Sequence, residues 1–140
     1  MILKQTTTKE ELQKVYAIRQ TVFVVEQNCP PEEEFDAYEE KCTHFLLMDE
    51  EEPIGAARLR DYNGVAKLER ICVLKDKRKS GAGKTIVLGM ESYAKLKGYT
   101  SFFLNAQEQA IGFYEKLGYT VCSEPFMDAN IPHRSMKKTI

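Results

Sequence analysis

The residues best suited to chemistry stand together between Lys75 and Lys84, in the run Lys-Asp-Lys-Arg-Lys-Ser-Gly-Ala-Gly-Lys. Gly81 and Gly83 can take positive φ and put no Cβ in the path of a ligand. Behind them, Ile86, Val87, Met90, Tyr93 and Ala94 recur at helical spacing. The loop therefore opens a helix, and a helix start offers bare N–H groups and a positive dipole end. Lys75, Lys77, Arg78, Lys79 and Lys84 add charge around it. Such a pattern is an anion site, a phosphate cradle. Ahead of it, Leu68, Ile71, Val73 and Leu74 read as a half-buried strand.

Two kinds of cradle fit part of this run. Ser80-Gly81-Ala82-Gly83-Lys84-Thr85 matches the end of the GxxxxGK[ST] nucleotide loop. That motif needs a glycine five residues before Gly83, where this chain has Arg78. No later apolar strand ends in an Asp that would hold Mg²⁺. The other match is Arg78-Lys79-Ser80-Gly81-Ala82-Gly83, which resembles the Q/R-x-x-G-x-G/A signature of the GCN5-related N-acetyltransferases, the GNAT superfamily. Lys79 stands where many members carry glycine. Phe113-Tyr114-Glu115-Lys116-Leu117-Gly118-Tyr119 resembles the FYxxxGF/Y segment of the same superfamily. Arg19-x-x-Val22-Phe23-Val24-Val25-Glu26-Gln27, Asn105-Ala106-Gln107 and Ile131-Pro132-His133-x-x-Met136 are similar to segments of its ElaA-like/YjcF-like branch. The resemblance runs from about Leu12 to Met136.

The elements that position these residues can be read in order. Met1 to Thr6 makes a short strand, and Thr8 caps a helix with Glu11 in capping-box spacing. That helix carries Leu12, Val15, Tyr16, Arg19, Val22 and Phe23 at spacings of three and four. Pro30 and Pro31 stop regular structure. Glu32 to Glu40 is an acidic loop or short solvated helix. A three-strand meander follows: Thr43 to Met48, Ile54 to Tyr62 and Val65 to Val73, the last two joined by Asn63-Gly64, the strongest hairpin signal in the chain. After the long helix, Gly98 marks its stop, and Thr100 to Asn105 is the next strand. Ala110, Phe113, Tyr114 and Leu117 form a helix stripe. Tyr119 to Cys122 and Ser135 to Lys138 pair around a loop from Ser123 to Arg134. The fold class is α/β, one domain over residues 1–140, with a mixed sheet and helices on both faces. The resemblance adds that the sheet is mostly antiparallel and that its central strands splay.

Bulk properties narrow the function. The 140 residues carry 20 Lys and Arg against 21 Asp and Glu, a net charge of −1 that argues against a nucleic-acid partner. Eleven of the acidic residues lie between Glu26 and Glu52, where Lys41 is the one Lys or Arg. That stretch reads as a solvated acidic face or as an attractor for a cationic substrate. No run of transmembrane length and no secretory segment follows Met1. Cys29, Cys42, Cys72 and Cys122 have no metal or CxxC spacing and read as reduced thiols of a cytoplasmic protein, with Cys72 a small buried hydrophobe. His44 and His133 make no metal site.

What the resemblance implies is an N-acetyltransferase that moves an acetyl group from acetyl-CoA to a primary amine by direct attack, without metal. Backbone groups around Ile71, Cys72 and Val73 would hold the pantetheine arm, with Asn105 on the opposite splayed strand. Arg78, Lys79, Ser80, Gly81, Ala82, Gly83 and Lys84 would surround the phosphates. Tyr114 matches the family's general acid, although tyrosine at helical spacing is also ordinary packing. Glu69 is the candidate base. Strand alternation would point it to the same face as Ile71 and Val73, and an ion pair with Arg58 or Arg70 is its plain alternative. Glu26, Gln27 and His133 would line the acceptor side. The acceptor would be a small-molecule or peptide amine, and the chain a monomer or homodimer with neither a nucleic-acid nor a membrane partner. A CoA-binding module without turnover, an acyl-homoserine-lactone synthase and a nucleotide-binding P-loop protein are the alternatives.

Overall fold

The computed structural model describes every residue from Met1 to Ile140. Eight strands form one sheet: β1 (Ile2–Gln5), β2 (Thr43–Asp49), β3 (Glu52–Tyr62), β4 (Val65–Val73), β5 (Ser101–Gln107), β6 (Thr120–Val121), β7 (Phe126–Asp128) and β8 (Ile131–Thr139). Their spatial order is β1-β2-β3-β4-β5-β8-β6, with β7 also paired to β8. Every pairing is antiparallel except β4–β5. Helices α1 (Lys9–Arg19), α3 (Ala82–Leu96) and α4 (Ile111–Lys116) pack on the sheet, and the short α2 (Pro31–Glu34) packs on the helical stretch that follows α1.

Local chemistry explains most of these elements. Thr8 Oγ1 accepts from the Glu11 amide at 3.1 Å, and Glu11 Oε1 accepts from the Thr7 amide at 2.8 Å, so α1 starts with its first donors satisfied. Asn63 and Gly64, with φ of 52° and 86°, make the two-residue turn between β3 and β4. Beyond Arg19 the helix continues to Glu26 with wider turns, seen in the Gln27 amide bonding the Val22 carbonyl five residues back. The stretch expected as a loop after Cys122 is instead the β7–β8 hairpin, with Ala129 and Asn130 at positive φ in its turn.

The two faces of the sheet are built differently. On one, α3 lays Ile86, Val87, Met90 and Ala94 against Phe45, Leu47, Ala57, Leu59, Leu68, Val73, Phe102 and Leu104. On the other, α1 contributes Val15 and Ile18, with Val22 just beyond, to a small apolar cluster with Leu46, Ala56 and Cys72. Tyr16, Phe23, Met48 and Leu74 pack at its edge, and beside it the face is ionic.

Two departures from regular pairing shape the middle of the sheet. The parallel contact of β4 with β5 is confined to Ala66–Phe102 and Lys67–Phe103, so the strands part beyond Lys67. The β3–β4 register also slips, from Arg58 opposite Glu69 to Ala56 opposite Cys72. One extra residue is accommodated at Arg70, whose φ is 55°. This is a β-bulge, which bends its strand and increases its twist.

Candidate active site

The cradle begins where β4 ends. Lys75–Lys77 forms one tight turn, Ser80 Oγ donates to the Lys77 carbonyl at 2.6 Å, and Lys79 sits at φ 67°. Gly81 caps α3 at φ 83°, and a Cβ built on it would meet nothing within 4 Å. The first helical bond of α3 is Thr85 N–H to the Gly81 carbonyl. The amides of Ala82, Gly83 and Lys84 therefore have no intrahelical acceptor. Ala82 is buried and Lys84 exposed. Gly83 packs under the Phe113 ring, which a Cβ would approach to 3.1 Å. Open space at Gly81 beside free amides fits a diphosphate.

A second feature leads away from the cradle. The Leu74 amide bonds the Ile54 carbonyl of β3 at 2.9 Å. By alternation, the amides of Ile71 and Val73 point to the other edge, where β5 has already turned away. That open edge offers a strand-like ladder to an extended, amide-bearing chain. Asn105 lies across the gap on β5, its Oδ1 accepting from Ser135 Oγ at 2.7 Å. Tyr114 is 9 % exposed and packs edge-on to Phe113 and Tyr119. Burial raises its hydroxyl pKa, with Cys72 as the contributing titratable neighbour, so it keeps its proton at neutral pH. Cys72 is itself buried and pushed up to about 12, chiefly by burial, an inert thiol.

Glu69 does not share a face with Ile71 and Val73. The bulge at Arg70 breaks the alternation between them. Ile71 and Val73 pack on the α3 side. Glu69 pairs with Arg58 on the α1 side and is held by Arg58 (3.0 Å), Arg60 (2.9 Å) and Lys67 (3.1 Å). Burial acts to raise its carboxyl, but the Arg58 charge and the Arg60 and Lys67 contacts outweigh it, and its pKa is lowered. A carboxylate so surrounded is a weak proton acceptor.

The acidic stretch also differs from a solvated face. Arg19 and Arg58 are fully buried. Arg19 reaches Glu34 at 2.8 Å and Glu39 at 2.7 Å. Arg58 reaches Asp36 at 2.8 Å, Glu39 and Glu69. Arg70 adds contacts to Glu34 and Asp36. Glu34, Asp36 and Glu39 thus tie the segment after α1 to the sheet, and of the carboxylates from Glu32 to Glu40 only Glu32, Glu33 and Glu40 are exposed. The hub residues Arg19 and Arg58 were not anticipated as a pair. The one signal was an arginine at a core-facing spacing in α1, between Val15 and Val22.

The rim of the gap is polar. Gln27 Oε1 accepts from Gln107 Nε2 at 2.9 Å, joining the end of the first helical segment to β5. His133 lies on β8 opposite Gln107 and stacks on Phe126. Its Nδ1 donates to the Ile131 carbonyl at 2.6 Å, since a carbonyl only accepts. Glu26 lies apart from Gln107 and His133 in its contacts. It grips Arg78 with both oxygens, at 2.7 and 2.8 Å, while Arg78 Nε donates to the Val73 carbonyl at 2.9 Å.

The chain is similar to known proteins along nearly its whole length. A family model described as an acetyltransferase (GNAT) domain matches residues 4–140. The uncharacterized N-acetyltransferase YjcF of Bacillus subtilis (strain 168) is 48% identical over 131 residues, which are 93% of this chain and 94% of that protein. The crystal structure of Escherichia coli ElaA superposes with a TM-score of 0.83 at 21% identity, over 98% of this chain and 99% of that one. An aminoglycoside 6′-N-acetyltransferase complexed with coenzyme A gives a TM-score of 0.79 at 18% identity, over 99% and 97% of the two chains. The class defined by fold and relatives is the acyl-CoA-dependent N-acetyltransferase. Within it, the chain belongs to the GNAT superfamily, in its ElaA/YjcF-like branch.

Proposed function

We propose that this enzyme transfers the acetyl group of acetyl-CoA to a primary amine, a small molecule or a peptide, by direct attack. The observation that carries the reading is the unpaired edge of β4 running into the free amides at the start of α3. An extended amide-bearing arm ending in a diphosphate matches both. The amides of Ala82, Gly83 and Lys84 would hold the phosphates, and Ile71 and Val73 would ladder with the arm. Bound there, the thioester supplies an activated acyl carbon. The backbone N–H groups on the open edge would steady negative charge on the carbonyl oxygen. The amine gives up a proton to solvent water, its nitrogen bonds to the acyl carbon, and the C–S bond breaks. Tyr114, protonated and on the α4 side of the gap, would give its proton to the departing thiolate.

The test is a panel of amine acceptors with detection of released CoA thiol, run on the wild type and on Tyr114→Phe. The variant keeps the ring and loses only the hydroxyl. Turnover should fall about 10²- to 10⁴-fold while the melting temperature stays near that of the wild type. Unchanged turnover in the folded variant would return Tyr114 to packing alone.

A further inference from the structure

Glu26 and Arg78 form the most fully specified contact at the mouth of the gap, and it sits on groups the cofactor would need. The two side chains meet as a two-pronged fork, the geometry by which a guanidinium also takes a phosphate. Their side chains are 33% and 37% exposed, so neither is locked into the core. Arg78 also bonds the Val73 carbonyl. In a strand, the N–H and C=O of one residue point the same way, so this carbonyl lies on the open edge of β4. The Glu26 carboxyl is lowered, first by the hydrogen bond from Arg78, so it is an anion throughout the neutral range. The neighbouring residue, Gln27, is tied across the gap to β5 through Gln107. The pair Glu26-Gln27 therefore touches both sides of the split sheet.

We propose that Glu26 is a stand-in for the cofactor's diphosphate: it holds Arg78 across the open end of β4, and the diphosphate displaces it. Binding then exchanges one anion for another on the same guanidinium. The Val73 carbonyl is uncovered in the same step and becomes available to the pantetheine arm. Glu26 so becomes a residue that sets cofactor affinity, rather than one that binds the acceptor. This rests on the acetyl-CoA reading above.

The experiment is a calorimetric titration of CoA into the wild type, Glu26→Gln, Arg78→Gln and the double variant. Exposed ion pairs of this kind are worth up to about 1 kcal/mol, so Glu26→Gln should bind CoA up to about fivefold more tightly. The gain should vanish when Arg78 is already Gln, a coupling that a double-mutant cycle reads directly. Unchanged or weaker binding by Glu26→Gln overturns the exchange. So does an equal gain in the Arg78→Gln background, because that would be the general effect of removing a negative charge near a polyanion. A wild type that binds no CoA would instead overturn the cofactor reading itself.

Discussion

The two faces of the sheet solve the same problem by different means. The α3 face is held by nineteen buried residues of one apolar cluster. Its buried ion, Glu91, is satisfied by the Tyr119 hydroxyl at 2.7 Å and Lys138 Nζ at 2.9 Å. The α1 face has an apolar cluster of only six, beside a lattice of Arg19, Arg58 and Arg70 with Glu34, Asp36, Glu39 and Glu69. Packing is indifferent to pH, whereas the strength of an ion lattice changes as its carboxyls gain or lose protons. The buried ions also hold a particular segment in place: Arg19 and Arg58 grip Glu34, Asp36 and Glu39 after α1. The first face gives the enzyme a stable back. The second positions a coil-rich segment, Gln27 to Cys42, that apolar burial alone could not anchor.

Removing the hub of the ionic face should have the largest effect. Arg58→Met takes the shared guanidinium from Asp36, Glu39 and Glu69, which keep Arg70, Arg19, and Arg60 with Lys67; breaking a buried pair in this way costs up to about 3–5 kcal/mol. Met90→Ala on the other face should cost about 2–5 kcal/mol through its cavity. Urea unfolding at pH 7 and pH 4 separates the mechanisms. The Arg58→Met penalty should shrink at pH 4 as the stranded carboxylates take protons, and the Met90→Ala penalty should not. Equal behaviour would erase the distinction between the faces.

Acid should weaken the wild type in a definite window. Burial raises the carboxyls of Asp36, Glu39 and Glu69, but their arginine and lysine partners and hydrogen bonds outweigh it and leave all three lowered. Asp36 comes down to about 2. Their stabilisation is complete above the unfolded values near about pH 4 and is lost as the pH falls through the folded ones. His44 acts earlier. Burial holds its pKa below 6.5, its Nε2 donates to the Glu39 carbonyl and its Nδ1 has no partner. The unfolded chain protonates first there, so its contribution declines from about pH 6.5 downward. Glu34 runs the opposite way. Burial outweighs its arginine partners and raises its carboxyl, so its contribution is largest at low pH and declines as the pH rises through the folded value. The net expectation is a urea midpoint that falls between pH 6.5 and pH 3 in the wild type and falls less in Arg58→Met.

The smallest effect tests the boundary of the lattice. Glu33 is exposed and offers Arg70 only its backbone carbonyl. Glu33→Gln should change stability by no more than about 0.5 kcal/mol, although the residue is the direct neighbour of buried Glu34. A larger loss in urea unfolding would extend the lattice to the surface.

Legibility in the sequence followed the range of the interactions. The capping box at Thr8, the Asn63-Gly64 turn, the α3 stripe and the glycine at the start of α3 are short-range patterns, and each lies where the spacing placed it. The bulge at Arg70 was not legible, because arginine has no preference for positive φ and the extra residue exists only relative to β3. That single residue undid the parity argument for Glu69. The ionic face was hidden for a related reason. Whether a glutamate is solvated or buried against an arginine depends on partners 15 to 20 positions away, as Arg19 is from Glu34 and Glu39. Tyr114 shows the limit from the other side. It is both core and candidate donor, and the stripe it belongs to encodes only the first.

The bulge has a cost and a use that belong to different kinds of selection. A non-glycine residue at positive φ gives up about 1–2 kcal/mol, and deleting Arg70 would let β4 and β3 knit as an uninterrupted ladder. A straighter β4 would also follow β5 further, narrowing the gap between them. On the cofactor reading proposed above, the better-made sheet would be the worse enzyme. In this chain the place where stability is surrendered is the place where the sheet opens, so substitutions that thermostabilise the centre of β4 should be sought with activity measured alongside.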